Sequence, residues 1–268
     1  MRLFNIVRNP VVLIKKTIDV FRTGGLRIIF IKSGIFLNNL VSFARRRFES
    51  GGLRYILLVS GILVNYPVSF IRRREFSYLG NEYRYFYHPY NHTWLNERAI
   101  EIPIVMRDIL NSKSGEILEV GNVLQNYVMF EHDILDKYDP TPGVINKDIV
   151  GFEAGKKYDL IVSISTLEHV GWDESPKDSF KIPLAIRSMR NNLKKNGRII
   201  ATVPLGYNKF LDRIIEEARE FDKAYFMKRS VFNRWKQVCY DEVRGLKYSK
   251  SITANSLAII IIDNQQIF

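Results

Sequence analysis

Residues 115–124 read Gly-Glu-Ile-Leu-Glu-Val-Gly-Asn-Val-Leu, a short apolar run that ends in a carboxylate and a glycine. A second apolar run, Leu-Ile-Val-Ser-Ile at 160–164, leads in the same way into the polar segment Ser-Thr-Leu-Glu-His at 165–169. Both runs predict buried parallel strands that turn into polar loops at their carboxyl ends. Open parallel sheets bind ligands at that edge, so we expect a nucleotide-like cofactor there.

The rest of the body alternates between strand and helix patterns. Helices are predicted at about 97–110 and 182–193, and strands at 116–120, 131–135, 158–163, 197–203 and 257–262. This alternation predicts an α/β fold, a doubly wound and mainly parallel sheet with helices on both faces. The single cysteine, Cys239, excludes a disulfide framework and a cysteine-based zinc site. No His, Asp or Glu spacing indicates a metal site, so no bound metal is predicted.

The positive charge is concentrated at the start of the chain. Residues 1–76 carry 14 Lys and Arg against 3 Asp and Glu, which accounts for +11 of the formal net charge of +12. We therefore divide the chain into a basic arm, residues 1–76, and a nearly neutral body, residues 77–268, which need separate explanations.

The basic arm contains a repeat with a period of 27 residues. Residues 24–48 and 51–75 share Gly-Gly-Leu-Arg, Ser-Gly-Ile, Val-Ser-Phe and Arg-Arg-Arg in register. Each unit is an apolar segment bounded by cations, which predicts basic amphipathic helices. The longest uncharged run, residues 55–71, has 17 residues and contains Asn65 and Pro67. Because a spanning helix needs about 20 apolar residues, we predict attachment in the plane of an anionic membrane surface.

Other interpretations of the arm stay open. Amphipathic helices commonly pack on a neighbouring domain or on each other, and a re-entrant hairpin would also suit an uncharged run of this length. Basic patches also neutralise nucleic-acid phosphates. Here the cations alternate with long aliphatic runs and base-stacking aromatic residues are few, which disfavours RNA or DNA as the partner.

Acidic residues stand at successive strand ends of the body. Asp136 follows the second strand, where a carboxylate can accept hydrogen bonds from ribose hydroxyls. Asp148 ends the next short segment and could lie beside an adenine amino group. Gly121 lets the backbone approach a ligand closely because it has no β-carbon. A single acidic residue could be a turn or a helix cap, but Glu119, Asp136 and Asp148 in succession indicate a binding edge.

Four segments resemble the ordered core motifs of class I S-adenosylmethionine-dependent methyltransferases, namely residues 117–121, 158–163, 166–170 and 196–204. The resemblance covers roughly residues 95–265 and implies a Rossmann-like sheet, S-adenosylmethionine as cofactor and methyl transfer as the reaction. Gly121-Asn-Val-Leu replaces the glycine-rich loop that is usual in this family. The cofactor contacts that the resemblance implies are Glu119, Gly121, Asp136, Asp148, Ser163 and Ser165.

Two further resemblances bear on the acceptor. Residues 165–174 and 203–208 look like a prokaryotic branch of the family that is associated with cell-surface polysaccharide synthesis. The Gly-Gly-Leu-Arg arm is similar to basic repeats seen beside glycosyltransferases. These resemblances imply a glycan or lipid-linked saccharide as acceptor, and a cytoplasmic protein held peripherally on the inner face of the cell membrane.

Catalysis would consist mainly of aligning the acceptor with the methyl group and removing a proton. His169 is the predicted base because imidazole titrates near neutral pH, although it could also be a structural histidine. Glu168 would orient His169 or bind an acceptor hydroxyl. Tyr207 and Asn208 follow a later strand and are predicted to select the acceptor. Two other functions remain open: an RNA methyltransferase that grips phosphates with the arm, and a non-catalytic scaffold.

Overall fold

The computed structural model of the chain describes residues 75–88, 90–112, 115–248 and 253–264. The predicted repeat helices of the basic arm lie outside these ranges. The described part begins with a hairpin whose first strand includes residues 75 and 76, the last two residues of the predicted arm. None of the helices in the described ranges is long and apolar enough to cross a membrane.

The described residues form ten strands and three α-helices. In chain order they are β1 Glu75–Tyr78, β2 Asn81–Arg84, α1 Arg98–Asn111, β3 Ile117–Val120, β4 Asp133–Leu135, β5 Val144–Ile145, β6 Tyr158–Ile164, α2 Lys181–Asn191, β7 Leu193–Pro204, α3 Lys209–Glu216, β8 Lys223–Ser230, β9 Arg234–Val238 and β10 Ser256–Asp263.

Eight of these strands form one sheet in the order β5-β4-β3-β6-β7-β10-β8-β9. Strands β3 to β7 are parallel to one another, as predicted. The predicted last strand, β10, runs antiparallel between β7 and β8, and β9 closes the far edge as the antiparallel partner of β8. The strand order reverses between β3 and β6, which creates a topological switch point at the carboxyl ends of the parallel strands. The predicted mainly parallel, Rossmann-like sheet is confirmed.

Two hydrophobic cores cover the two faces of the sheet. Strand β6 serves both, because successive side chains of a strand point to opposite faces. Leu160, Val162 and Ile164 pack in the core that contains α1 and the β1–β2 hairpin. Ile161 packs in the core that contains α2 and α3. Helices therefore lie on both faces, and the central strand is apolar on both sides, as its continuous apolar run predicted.

The parallel half of the sheet is connected more simply than in a regular doubly wound fold. In the described structure, a single 3₁₀ turn, Leu124–Asn126, lies between β3 and β4, and no α-helix follows β4 or β5 before β6 begins. Long loops fill these connections instead. They bring backbone groups, rather than helix side chains, to the carboxyl ends of β3, β4 and β5.

Helix α1 is joined to the segment before it through a proline. Pro103 lies inside the helix and has no N–H to donate to the carbonyl of Ala99, four residues earlier. That carbonyl accepts a hydrogen bond from the backbone N–H of Phe86 at 2.8 Å instead. The first turn of α1, which carries several charged side chains, is thereby fixed to the chain that leads in from the hairpin.

Candidate functional site

A cavity of about 350 Å³ opens at the carboxyl ends of β3, β4, β5 and β6, beside the topological switch point. Its volume is in the range of small-ligand and cofactor sites. The walls combine apolar side chains with a few polar groups. The lining residues are Val120, Gly121, Asn122, Val123, Leu135, Asp136, Lys137, Tyr138, Lys147, Asp148, Ile149, Ser165, Thr166, His169, Val170 and Glu174.

Gly121 has a backbone that other residues would not adopt without strain. Its φ is +90°, and a β-carbon on it would overlap Thr166 Oγ1 and lie 2.8 Å from Thr166 Cγ2. Its N–H donates to the carbonyl of Leu135 at the end of β4, at 2.8 Å. The loop after β3 therefore passes directly over the loop after β6, and only glycine fits at the crossing.

Asp136 lies in the wall of the cavity, as predicted, and its carboxylate joins two loops. Oδ2 accepts from the N–H of Asn122 at 3.1 Å, and Oδ1 accepts from those of Tyr138 and Asp139 at 2.8 and 3.0 Å. Each carboxylate oxygen has more than one acceptor site, so Oδ2 can accept a further hydrogen bond. The side chain is thus held in place and still has capacity toward a ligand hydroxyl.

Asp148 also lines the cavity, but it is already ion-paired. Lys137 Nζ lies 2.9 Å from Asp148 Oδ2 and 3.0 Å from Glu174 Oε1. Lys181 forms ion pairs with the same two carboxylates. Although burial opposes ionisation, the N–H of Val150 and the ammonium of Lys137 hold the pKa of Asp148 below its usual range. Asp148 was predicted to lie beside an adenine amino group, and Lys137 was not predicted. In the structure the Lys137 ammonium is the group beside Asp148.

Glu119 is in a different position from the one predicted. Its side chain is fully buried and is not part of the cavity wall. Oε1 accepts from the N–H groups of Val123 and Leu124 at 2.9 and 2.7 Å, and Oε2 lies 2.8 Å from His132 Nε2. Glu119 therefore shapes the loop that carries Gly121, because its oxygens are used by that loop and by His132, and its contact with the cofactor stays a prediction.

Of the two predicted serines, one reaches the cavity. Ser163 is fully buried within β6, on the same side of the strand as Ile161, and is not part of the cavity wall. Ser165 lines the cavity with a positive φ of 41°. Its Oγ donates to Glu101 Oε1 at 2.6 Å, and Thr202 Oγ1 donates to the same oxygen at 2.7 Å. Sequence reasoning missed Glu101, which lies 64 residues before Ser165.

His169 lies at the mouth of the cavity within a small hydrogen-bonded group. Its Nδ1 is 2.5 Å from Asp173 Oδ2, and the Tyr207 hydroxyl donates to the same oxygen at 2.7 Å. The imidazole and phenol rings meet edge to face at 4.9 Å. Burial works against ionisation, but the bonds from His169 and Tyr207 hold the pKa of Asp173 below its ordinary value. Asp173 was not predicted, although its position four residues after His169 was a readable signal.

Glu168 and Asn208, which were predicted to act near the acceptor, are both buried. Glu168 is buried, with Oε1 3.7 Å from His169 Nε2 and Oε2 without a hydrogen-bond partner, and burial raises its pKa well above the usual value. Asn208 is 1% exposed. Its Oδ1 caps α3 by accepting from the N–H groups of Phe210 and Leu211, and its Nδ2 donates to the Glu168 carbonyl. Asn208 therefore has a structural role and its contact with the acceptor stays a prediction, whereas Tyr207 is partly exposed beside His169.

The cavity has the features that an adenosyl cofactor requires. Apolar walls from Val120, Leu135 and Ile149 suit a purine, and the Asp136 carboxylate suits ribose hydroxyls. The close crossing of the two loops at Gly121 keeps the loop after β3 near the cavity. In the described ranges, no group of three or more His, Cys, Asp or Glu side chains could hold a metal ion.

Comparison with known proteins gives similarity of structure only. No family model and no curated protein matches the chain. The N-methyltransferase NodS of Bradyrhizobium japonicum WM9, solved with S-adenosyl-L-homocysteine, is 13% identical with a TM-score of 0.43, covering 63% of this chain and 88% of its own. An S-adenosylmethionine-dependent methyltransferase of Clostridium acetobutylicum ATCC 824 is 12% identical with a TM-score of 0.35, covering 60% and 89%.

A third similar structure is CalS10, an amino pentose methyltransferase from Micromonospora echinaspora solved with S-adenosylmethionine. It is 14% identical with a TM-score of 0.31, and the match covers 45% of this chain and 58% of CalS10. Because the identities and TM-scores are this low, the similarities assign neither an activity nor a substrate to this chain.

Proposed function

We propose that this protein transfers a methyl group from S-adenosylmethionine to a glycan or lipid-linked saccharide. The observation that carries the proposal is the cavity at the switch point. It brings Gly121, Asp136 and Ser165 from three separate strand ends to one place and has His169 at its mouth. Gly121 and His169 belong to two of the core segments that resemble those of class I methyltransferases, residues 117–121 and 166–170.

The residues of the site divide into a binding part and a proton-handling part. Asp136 would hold the ribose hydroxyls, and the apolar wall would hold the base. S-adenosylmethionine supplies an electrophilic methyl group on a sulfonium sulfur. Because the ionised Asp173 only accepts hydrogen bonds, it fixes the proton of His169 on Nδ1 and leaves Nε2 free to accept one. Tyr207 packs on the imidazole ring and would face the acceptor.

Asp136→Asn is expected to weaken binding of S-adenosylhomocysteine by at least about tenfold, about 1.4 kcal/mol. The amide removes the charge that holds the ribose hydroxyls and places an NH₂ group against backbone N–H donors. Isothermal titration calorimetry measures the change. Asp133→Asn is the matched control, because it removes the same charge at the opposite end of β4, where Asp133 binds Tyr158 and Lys156.

The control variant should bind S-adenosylhomocysteine like the wild type. If the wild-type protein shows no binding heat with S-adenosylhomocysteine, the proposed reaction is wrong. If binding is present and Asp136→Asn binds as tightly as Asp133→Asn, the position of the ribose is wrong and the cofactor assignment stands.

We also propose that residues 1–76 hold the protein peripherally on the inner face of the cell membrane, where a lipid-linked saccharide would be available. The support is the repeated alternation of aliphatic segments and cation clusters, with a net charge of +11 over this segment. Such a segment combines the apolar area and the charge that in-plane binding to anionic lipid requires.

The full chain is expected to bind phosphatidylglycerol vesicles at least about tenfold more tightly than phosphatidylcholine vesicles, since each cation near an anionic surface contributes about 1 kcal/mol. Replacing both arginine triplets, residues 45–47 and 72–74, by glutamine should remove this preference. Co-sedimentation with vesicles measures it. Equal binding of the wild type to both kinds of vesicle would contradict an electrostatic attachment.

A further inference from the structure

A buried group of charged side chains lies directly behind Ser165. It consists of Glu97, Arg98 and Glu101 around the start of α1, together with Glu168 from the loop after β6. Glu97, Glu101 and Glu168 are 6%, 0% and 2% exposed. Three carboxyl groups thus share the interior of the protein with one guanidinium group, next to the wall of the cofactor cavity. We call these four residues the carboxylate cluster.

The hydrogen bonds of the carboxylate cluster leave it short of positive charge. Glu101 is fully engaged, by Ser165, Thr202 and the Arg98 guanidinium. Glu97 Oε2 accepts only a backbone N–H, that of Ala254 at 2.9 Å. A second cation near Glu97, Arg229, donates to Thr253 and to the Leu95 carbonyl instead. The one strong pair in the cluster is therefore Arg98–Glu101.

Glu168 is the member with an open bonding position. Its Oε2 is buried and has no hydrogen-bond partner, and Glu101, Arg98 and Glu97 are close enough to act on it electrostatically. A buried, unpaired carboxylate is costly, and burial raises the pKa of both Glu97 and Glu168. Folding alone gives no reason for a carboxyl group here, which makes it a candidate functional group.

Two tyrosines, Tyr207 and Tyr248, are close enough to Glu168 of the carboxylate cluster to interact with it electrostatically. Tyr207 and Tyr248 meet edge to face at 5.3 Å, and both are partly exposed. Burial, with the nearby Glu97 and Glu168 carboxyls, raises the pKa of Tyr248 to about 12, so its phenol lies against the cluster in neutral form. Carboxylates behind aromatic rings are a combination that favours a ligand ammonium group, through charge and through the ring faces.

We propose that the carboxylate cluster receives the amino group of the acceptor, so that this protein methylates a saccharide at nitrogen. This inference rests on the proposed methyl transfer and narrows its substrate to an amino sugar. An ammonium group supplies both things that the cluster lacks, a positive charge and an N–H donor for Glu168 Oε2. A hydroxyl acceptor would supply only the donor. Ser165 joins the two sites, because it lines the cofactor cavity and donates to Glu101.

In this step the proton, the methyl group and the electron pair of the broken bond each have a named acceptor. Binding of the ammonium displaces the proton of the buried Glu168 to solvent through His169, and the paired ammonium then gives one proton to the Glu168 carboxylate and becomes an amine with a free lone pair. The nitrogen then bonds to the methyl carbon as the carbon–sulfur bond breaks and its electron pair stays on sulfur. The products are a methylammonium group, a neutral thioether and protonated Glu168. His169 Nε2, 3.7 Å from Glu168 Oε1, is the next group toward solvent and takes the proton outward.

The first test compares two cofactor analogues on the full chain. Sinefungin carries an ammonium group where the transferable methyl would be, and S-adenosylhomocysteine carries none. The wild type is expected to bind sinefungin at least about tenfold more tightly, and Glu168→Gln is expected to lose most of that preference while binding S-adenosylhomocysteine normally. Glu116→Gln, which removes the same charge just before the amino end of β3, should keep the preference.

Glu168→Gln should fold, because glutamine has the shape of the protonated carboxyl, and a melting temperature near that of the wild type checks this. If the sinefungin preference is absent, or survives Glu168→Gln, the inference is overturned while binding of S-adenosylhomocysteine preserves the proposed function. If neither analogue binds, both are overturned.

The second test distinguishes nitrogen from oxygen without knowing the saccharide. Cell-envelope glycans are incubated with the protein and methyl-labelled S-adenosylmethionine, before and after treatment with aqueous acetic anhydride, which blocks amines and spares hydroxyls. Acetylated glycans are expected to lose at least about 90% of the label, because an amide nitrogen has no free lone pair and no charge. Undiminished labelling would show a hydroxyl acceptor. No labelling of untreated glycans would overturn the saccharide acceptor and the inference with it.

Discussion

Gly121→Ala is expected to abolish measurable binding of S-adenosylhomocysteine and to lower the free energy of unfolding by about 2–4 kcal/mol. The alanine must keep a φ of +90°, and its β-carbon would overlap Thr166 Oγ1 at the crossing of the two loops. The loops must separate to make room, and their separation moves the floor of the cavity. Calorimetry with S-adenosylhomocysteine and urea unfolding measure the two effects.

Gly143→Ala is the matched control for this prediction. Gly143 has nearly the same φ, +92°, but no heavy atom lies within 4 Å of a β-carbon placed on it. The Gly143→Ala variant should lower the free energy of unfolding by about 1–2 kcal/mol, the cost of holding alanine in this backbone conformation. It should bind S-adenosylhomocysteine normally. The double change Gly121→Ala with Thr166→Ala removes the overlapping atoms and should restore part of the binding. Equal losses in both single variants would contradict the crossing as the cause.

His169→Gln is expected to lower the turnover number by at least about 100-fold, the usual loss for a general base, while the affinity for S-adenosylhomocysteine changes less than about threefold. Glutamine fills a similar space and still bonds to Asp173, but it cannot take a proton from the acceptor or from Glu168. Methyl-transfer kinetics and calorimetry separate the two quantities. Because 47% of the His169 side chain is exposed, added imidazole should restore part of the rate.

Asp173→Asn gives the comparison for His169. The amide can still accept from Nδ1 and from Tyr207, but it has no charge to stabilise a protonated imidazole. We expect a smaller loss of turnover, about tenfold, with a shift in the pH dependence of the rate that His169→Gln does not show. A structural histidine would instead give similar losses of stability in both variants and no imidazole rescue.

The parts of the fold that the sequence could predict are those with a simple pattern. The strands β3, β6 and β10 are buried on both faces, so short and predominantly apolar runs identify them. Strand β8, Lys-Ala-Tyr-Phe-Met-Lys-Arg-Ser, was missed because its cations and partly buried rings follow no two-residue alternation, and only Met227 in it is fully buried. The hairpin β1–β2 was missed because its strands have four residues each and β2, with no fully buried residue, shows no apolar run.

The residues of the site also divide into those that the sequence could predict and those that it could not. Strand ends can be found in the sequence, so Gly121, Asp136 and Asp148 were placed correctly in the cavity wall. The sequence does not show which hydrogen bonds a carboxylate makes, and Glu119 is occupied by its own loop. Contacts across 64 residues, such as Ser165 with Glu101, depend on how helix α1 packs on the sheet and carry no local signal.

The edges of the sheet bear on how copies of this protein behave when crowded together. One edge is β5, which has only two residues, and the other is β9, where the exposed Arg234 and Lys236 alternate with covered positions. A very short strand offers few unpaired backbone groups, and cations on an edge repel a second edge of the same kind. Copies concentrated on a lipid surface would therefore collide without extending one sheet into the next, so crowding need not lead to aggregation.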